Sequence, residues 1–209
     1  MIKEDLIVKM TEFNAGDPKR IQHFLKVYEF AHVIGIREGL DPETLHILEM
    51  AAILHDIGIR PSEEKYGRCD GKLQEQEGPA YAKEILAQFP EVTAAEVDRI
   101  CYLIAHHHTY ENVDGLDYRI LLEADFLVNA LEDDLPKEAI RKCRENDFAS
   151  TLFSYDVAKP NALYGTVYRS RFSMKGQKPL FHFRYTQTAD TLGSYNIVDD
   201  PEAFTLVIE

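Results

Sequence analysis

Five of the eight histidines in this 209-residue chain stand where they could do chemistry, beside two aspartates. His55 and Asp56 are adjacent and follow the apolar run Met50-Ala-Ala-Ile-Leu54, with Gly58 close behind. A neutral imidazole next to a carboxylate offers a compact pair of N and O ligands for a transition metal. The apolar flanks would bury the pair, and a buried carboxylate is costly unless it is paired or binds metal. His23 and Asp125 also interrupt apolar helical stretches, and His106, His107 and His108 form a run. Each has a plainer explanation on its own. A His-Asp pair can cap a helix end, consecutive histidines suit a helix C-terminus, and an aspartate can serve as the partner of an arginine.

These residues need elements to hold them. Leu6, Ile7, Met10 and Phe13 recur at helical spacing, which predicts a short helix over 1–13. Asp17-Pro18 and Asp41-Pro42 are cap-then-proline starts, the first for a helix to Ile36 carrying His23, the second for one ending at His55-Asp56. Residues 58–76, with Gly58, Pro61, Gly67 and Gly71 among charges, read as a surface loop. Further helices are expected from Glu77 to Phe89, from Thr93 to His108, over Tyr118–Leu131 around Asp125, and from Pro136 to Phe148. The alternation in 181–188 and the β-prone 204–208 predict short strands. The expected fold class is therefore mainly α: a helical metal-binding domain over 1–150, with a small β-rich C-terminal extension over 151–209 packing on the same domain.

The motifs Arg20-Ile-Gln-His23, Leu54-His55-Asp56-Ile-Gly58 and Glu123-Ala-Asp125 occur in the order His…His-Asp…Asp. In that order the chain resembles the HD-domain superfamily of metal-dependent phosphohydrolases over residues 18–132, and 76–129 is most similar to a bacterial subgroup of it. The resemblance implies a helical core with a metal held by His23, His55, Asp56 and Asp125. It also implies attack of a metal-bound hydroxide on a small phosphorylated metabolite or nucleotide. Two imidazoles plus carboxylates suit Mn, Fe, Co, Ni or Zn better than Ca, with Mg also open, as one or two ions.

In binuclear relatives extra histidines complete a second site. Asp56 could bridge to it, and Glu77, His106 and His107 are the candidates here, although Glu77 could equally cap a helix. Adjacent helical residues point about 100° apart, so three consecutive histidines cannot all face one site; this reading takes His106 and His107 as catalytic or substrate-binding, alongside Asp56, and leaves His108 at the surface. Some relatives carry a lysine soon after the His-Asp pair, where this chain has Ile59-Arg60. The phosphate-binding candidates are Arg20, one turn before His23, and Arg60, Arg68 and Lys72 after the motif. Two other readings stay open: a di-iron oxygenase on the same scaffold, and a non-catalytic metal or ligand sensor.

Composition narrows the partners. A formal charge of −13 repels phosphate backbones at long range, which argues against extended nucleic acid. A bound cation can still invert the field inside a pocket. No apolar run approaches the roughly 18 residues of a membrane span, and no signal core opens the chain. Cys69, Cys101 and Cys143 are odd in number and far apart, so neither disulfides nor a zinc knuckle is expected and a reducing cytoplasm fits. Homo-oligomerisation is left open.

Overall fold

A computed structural model describes residues 2–136 and 138–140, and the pairs 154–155, 168–169, 185–186 and 194–195. The chain divides into two compact units, Met1–Glu132 and Asp133–Glu209. The first is built from α1 (Ile2–Phe13), α2 (Pro18–Arg37), α3 (Pro42–Leu54), α4 (Ile59–Tyr66), α5 (Gly71–Leu86), α6 (Ala94–Ile104) and α7 (Leu116–Glu132). The protein is thus mainly helical. Among the described residues no helix is long and apolar enough to cross a membrane.

The cap-then-proline starts form as their chemistry requires. Asp17 accepts from Arg20 N at 2.9 Å, and Asp41 accepts from Glu43 N and Thr44 N, both at 3.0 Å. Each such cap satisfies an otherwise orphaned amide and contributes about 1 kcal/mol. At the centre lies α3, which packs against α1, α2, α6 and α7. Its last seven residues, Leu48 to Leu54, are all buried, so this segment has no solvated face and delivers His55 and Asp56 into the interior.

Two expectations fail between 58 and 79. Residues 59–66 are helix α4 rather than loop. Pro61 falls in the first turn, where an amide would have no intrahelical partner anyway. Ser62 Oγ donates to Gly58 O at 2.7 Å, and Gly67, at φ 66°, closes the helix. Helix α5 starts at Gly71 rather than Glu77, capped by Asp70, and carries Pro79 inside it. Tertiary packing outweighs the proline: Gly78 and Gly58 let the two segments meet backbone to backbone, with Ile104 against Gly78.

In the second unit the helical turn after Pro136 is described to residue 140; the rest of the helix expected to Phe148 lies outside the described residues. Ser154–Tyr155 pairs antiparallel with Tyr168–Arg169, and Tyr185–Thr186 with Ser194–Tyr195. Of the strand expected over 181–188 only Tyr185–Thr186 is described; the remainder of the expected β-rich 151–209, with the strand over 204–208, lies outside the described residues, as do Cys143 and His182.

Candidate metal centre

Two helices and the end of a third converge on a buried cluster. His23 comes from the buried face of α2, His55 and Asp56 from the end of α3, and Asp125 from the middle of α7. All four are under 10% exposed. His23 Nε2 lies 3.1 Å from His55 Nε2, 3.2 Å from Asp125 Oδ1 and 3.4 Å from Asp56 Oδ2. His55 Nε2 lies 3.5 Å from both Asp125 Oδ1 and Asp56 Oδ2. Ligands about 2.1 Å from one ion, at angles between octahedral and tetrahedral, stand about 3.0–3.4 Å apart. The 3.1–3.4 Å separations are those of neighbouring ligands around one cation and the 3.5 Å separations are slightly wider; His23, His55 and Asp56 form a group able to hold an ion, with Asp125 beside both imidazoles.

The chemistry of the donor set points the same way. His55 Nδ1 donates to Ala52 O at 2.8 Å, and His23 Nδ1 donates to Glu132 Oε2 at 3.1 Å. With Nδ1 committed outward, each ring turns its Nε2 to the centre, where it becomes a lone-pair donor once any proton there is displaced. Orienting hydrogen bonds of this kind fix the tautomer of a metal-binding histidine. Lone pairs and carboxylates facing each other in a buried space require a positive charge among them. His23 shows that demand. Burial opposes its charged form, yet Asp125, Asp56 and Glu132 raise its pKa to about 9. Burial likewise disfavours ionised Asp125, but hydrogen bonding with His23 and His55 holds it well below the usual carboxylate range. Asp56 is lowered too, by His55 and His107 against burial.

Asp56 has a second oxygen, which points elsewhere. Its Oδ1 lies 3.1 Å from His107 Nε2 and 4.0 Å from His108 Nε2. His107 is fully buried and donates from Nδ1 to Ile104 O at 2.7 Å, so its Nε2 faces inward onto Asp56 Oδ1. Asp56, His107 and His108 form a second group able to hold an ion, sharing Asp56 with the first group, His23, His55 and Asp56.

This second group differs from the expected one. Helix α6 stops at Ile104, so the histidine run lies in a turn and the 100° spacing of a helix does not apply to it. The turn brings His107 and His108 together and sends His106 away. His106 stacks on Tyr102, with ring centroids 4.3 Å apart, and donates from Nδ1 to Tyr102 O. Glu77 belongs to neither group: it is bound by Lys65, by Tyr66 Oη at 2.8 Å and by Gln76. The basic candidates already face other groups. Arg20 pairs with Glu63 at 3.0 Å and Asp17 at 3.3 Å, Arg60 with Glu64 and the Phe13 carbonyl, and Arg68 with Asp70 at 3.1 Å. Lys72 is exposed.

Several residues that shape the centre were not singled out in the sequence. Asn129 Nδ2 donates to Asp125 Oδ1 at 2.9 Å, and Glu132 holds His23 while itself held by Lys26 at 2.8 Å. Asn129 and Glu132 follow Asp125 by four and seven residues, the spacing of one helix face, so that stripe was the available signal. Glu75 Oε1 accepts from His108 N at 3.0 Å and Thr109 Oγ1 at 2.8 Å, anchoring the histidine turn.

The family model for the HD domain matches residues 20–141, a span that contains every residue of both groups. The chain belongs to the HD-domain family. Members of this family are mostly metal-dependent phosphohydrolases, and the buried His/Asp groups of this HD domain match a divalent-metal centre. No curated protein and no solved structure matches the chain.

Proposed function

We propose that the protein is a metal-dependent phosphohydrolase acting on a small phosphorylated metabolite or nucleotide. One observation carries the reading: four side chains from three separate helical segments converge within 3.1–3.5 Å of the two imidazole Nε2 atoms, both of which are turned inward. His23, His55, Asp56 and Asp125 would hold the ion. A divalent cation held there supplies Lewis acidity, lowering the pKa of a coordinated water toward about 7 and offsetting charge on phosphoryl oxygens.

The protein's own groups do the rest. Asp125, steadied by Asn129, and His23, steadied by Glu132, keep the ligand atoms in place without reorganisation. Asp56, which would hold the ion through Oδ2, faces His107 through Oδ1, and that contact raises the His107 pKa against the effect of burial and suits it to hold a proton. Arg20, Arg60, Arg68 and Lys72 remain the candidates for phosphate contact. For the three arginines that contact means exchanging a carboxylate or carbonyl partner for the phosphate. The reading takes residues 1–150 as the catalytic domain, 151–209 as an appended extension, and the cytoplasm as its place.

The Asp56–His107–His108 group gives a di-iron alternative a specific foothold. The test covers both readings. Purified protein loaded with Mn, Co, Ni, Fe or Mg is assayed on a broad panel of phosphate esters, beside His55→Ala. Hydrolysis by wild type and its loss in His55→Ala support the proposal. No turnover with any ion, together with unchanged metal content and stability in His55→Ala, overturns it. An iron pair with oxygen-dependent loss of substrate selects the oxygenase instead.

A further inference from the structure

The two ion-sized groups around Asp56 are not equally free to bind. At the first, each Nδ1 bonds outward and each Nε2 faces only the other members of the same group. At the second, His107 follows the same pattern, but His108 does not. Its Nε2 is hydrogen-bonded to the side-chain amide oxygen of Gln74, on the second turn of α5. The other end of the same amide donates to Cys69 Sγ at 3.0 Å.

We propose that Gln74 sets the metal stoichiometry of the centre by engaging His108 Nε2, so that the protein holds one ion tightly and a second only weakly. The inference rests on the four-ligand centre proposed above. It does not depend on which way the amide is assigned. With the oxygen toward His108, Nε2 must carry the proton and has no lone pair to give. With the amide reversed, Nε2 accepts from the NH2 and its lone pair is already used. Either way the ring stands 4.0 Å from Asp56 Oδ1, whereas His107 approaches to 3.1 Å.

The position of Gln74 is built in. Gln74 N bonds to Asp70 O at 3.0 Å in the capped start of α5. A methyl group at Gly58 would lie 2.5 Å from Gln74 O, so α5 sits directly on the segment that carries Asp56. A methyl at Gly71 would lie 2.9 Å from the His108 ring, so that glycine makes room for the imidazole on the same helix. Glu75 then fixes the His108 backbone. Gln74 and His108 are thus held face to face by their main chains, and Gln74 acts as a positioning residue through His108.

The test is a Co2+ titration of the full chain, followed by calorimetry, with bound cobalt counted by elemental analysis after desalting. Wild type is expected to retain one ion per chain. Gln74→Leu, which keeps the bulk and removes both amide groups, is expected to retain two, its second step about tenfold tighter than in wild type, the effect of removing one competing hydrogen bond. Gln74→Ala repeats the measurement with less bulk, thermal melts check the fold, and Gln74→Leu with His108→Ala is expected to return to one ion. Two equally tight ions on wild type overturn the inference. So does a second ion that survives loss of His108. One ion on wild type and on both Gln74 variants overturns this inference alone, whereas no ion on wild type overturns the four-ligand centre as well.

Discussion

Glu132 offers a sharp test of how the ligands are held, because orientation and charge can be separated there. Its Oε2 accepts from His23 Nδ1 at 3.1 Å, and its Oε1 accepts from Lys26 Nζ at 2.8 Å. The carboxylate fixes the ring so that Nε2 faces the centre. Removing such an orienting partner weakens metal affinity about 10- to 100-fold, or about 1.4 to 2.7 kcal/mol. Glu132→Ala should therefore raise the Kd for Co2+ by that factor. The same carboxylate also raises the His23 pKa, and a proton on His23 competes with the ion. Glu132→Gln keeps an acceptor for Nδ1 and loses the charge. It should bind Co2+ within a few-fold of wild type, since weaker orientation and weaker proton competition oppose each other. Lys26→Ala removes a half-exposed ion pair worth about 0–1 kcal/mol and should change the Kd by less than about fivefold. Calorimetric titration of the three variants at one pH decides the matter. Equal affinities for Glu132→Ala and wild type, or equal losses in Ala and Gln, would refute the orienting role.

Other outcomes follow from the same geometry. The folded pKa of His23 is raised, so its proton stabilises the ion-free protein fully below about 6.5, and that contribution is lost as pH rises through about 9. Co2+ must displace the proton, so affinity should rise about tenfold per pH unit across that window, with proton release visible as a buffer-dependent binding heat; pH-independent binding would contradict it. His106→Ala should leave metal content unchanged because its ring stacks on Tyr102, while His107→Ala should abolish any second ion; elemental analysis of both separates them. Gly58→Ala should lower stability by about 1–3 kcal/mol, the cost of overpacking, since its methyl would meet the backbone at Gln74 O and Gly78 N; an unchanged denaturation midpoint would show that α5 can move away.

The sequence revealed the first group because each member breaks an apolar helical pattern. His23, His55, Asp56 and Asp125 stand out as polar residues where burial is expected. It could not show which of His106, His107 and His108 face Asp56, because that depends on α6 ending at Ile104. Nothing local in Leu103-Ile104-Ala105 marks the end: it is set by what packs on it, including Gly78 and the hydrogen bond from Tyr118 Oη to His106 O at 2.9 Å. Helix α4 was hidden by Pro61 and the glycines around it, which act as breakers only when packing does not favour the helix. Surface cations were the least legible. Arg20, Arg60 and Arg68 carry no periodic signal, and their partners Glu63, Glu64 and Asp70 are equally ordinary in the sequence. Gln74 is illegible in the sequence for a related reason, since its weight comes from the meeting of α5 with the histidine turn.

The most direct measurement is the metal content of wild type against Asp125→Asn, each purified without chelator and checked for fold by circular dichroism. The asparagine keeps the shape and the Asn129 neighbour while removing the charge that faces His23 and His55. One transition-metal ion per chain in wild type, with most of it lost in a folded Asp125→Asn, is the expected result. Equal metal in both proteins, or none in either after loading, would contradict the account.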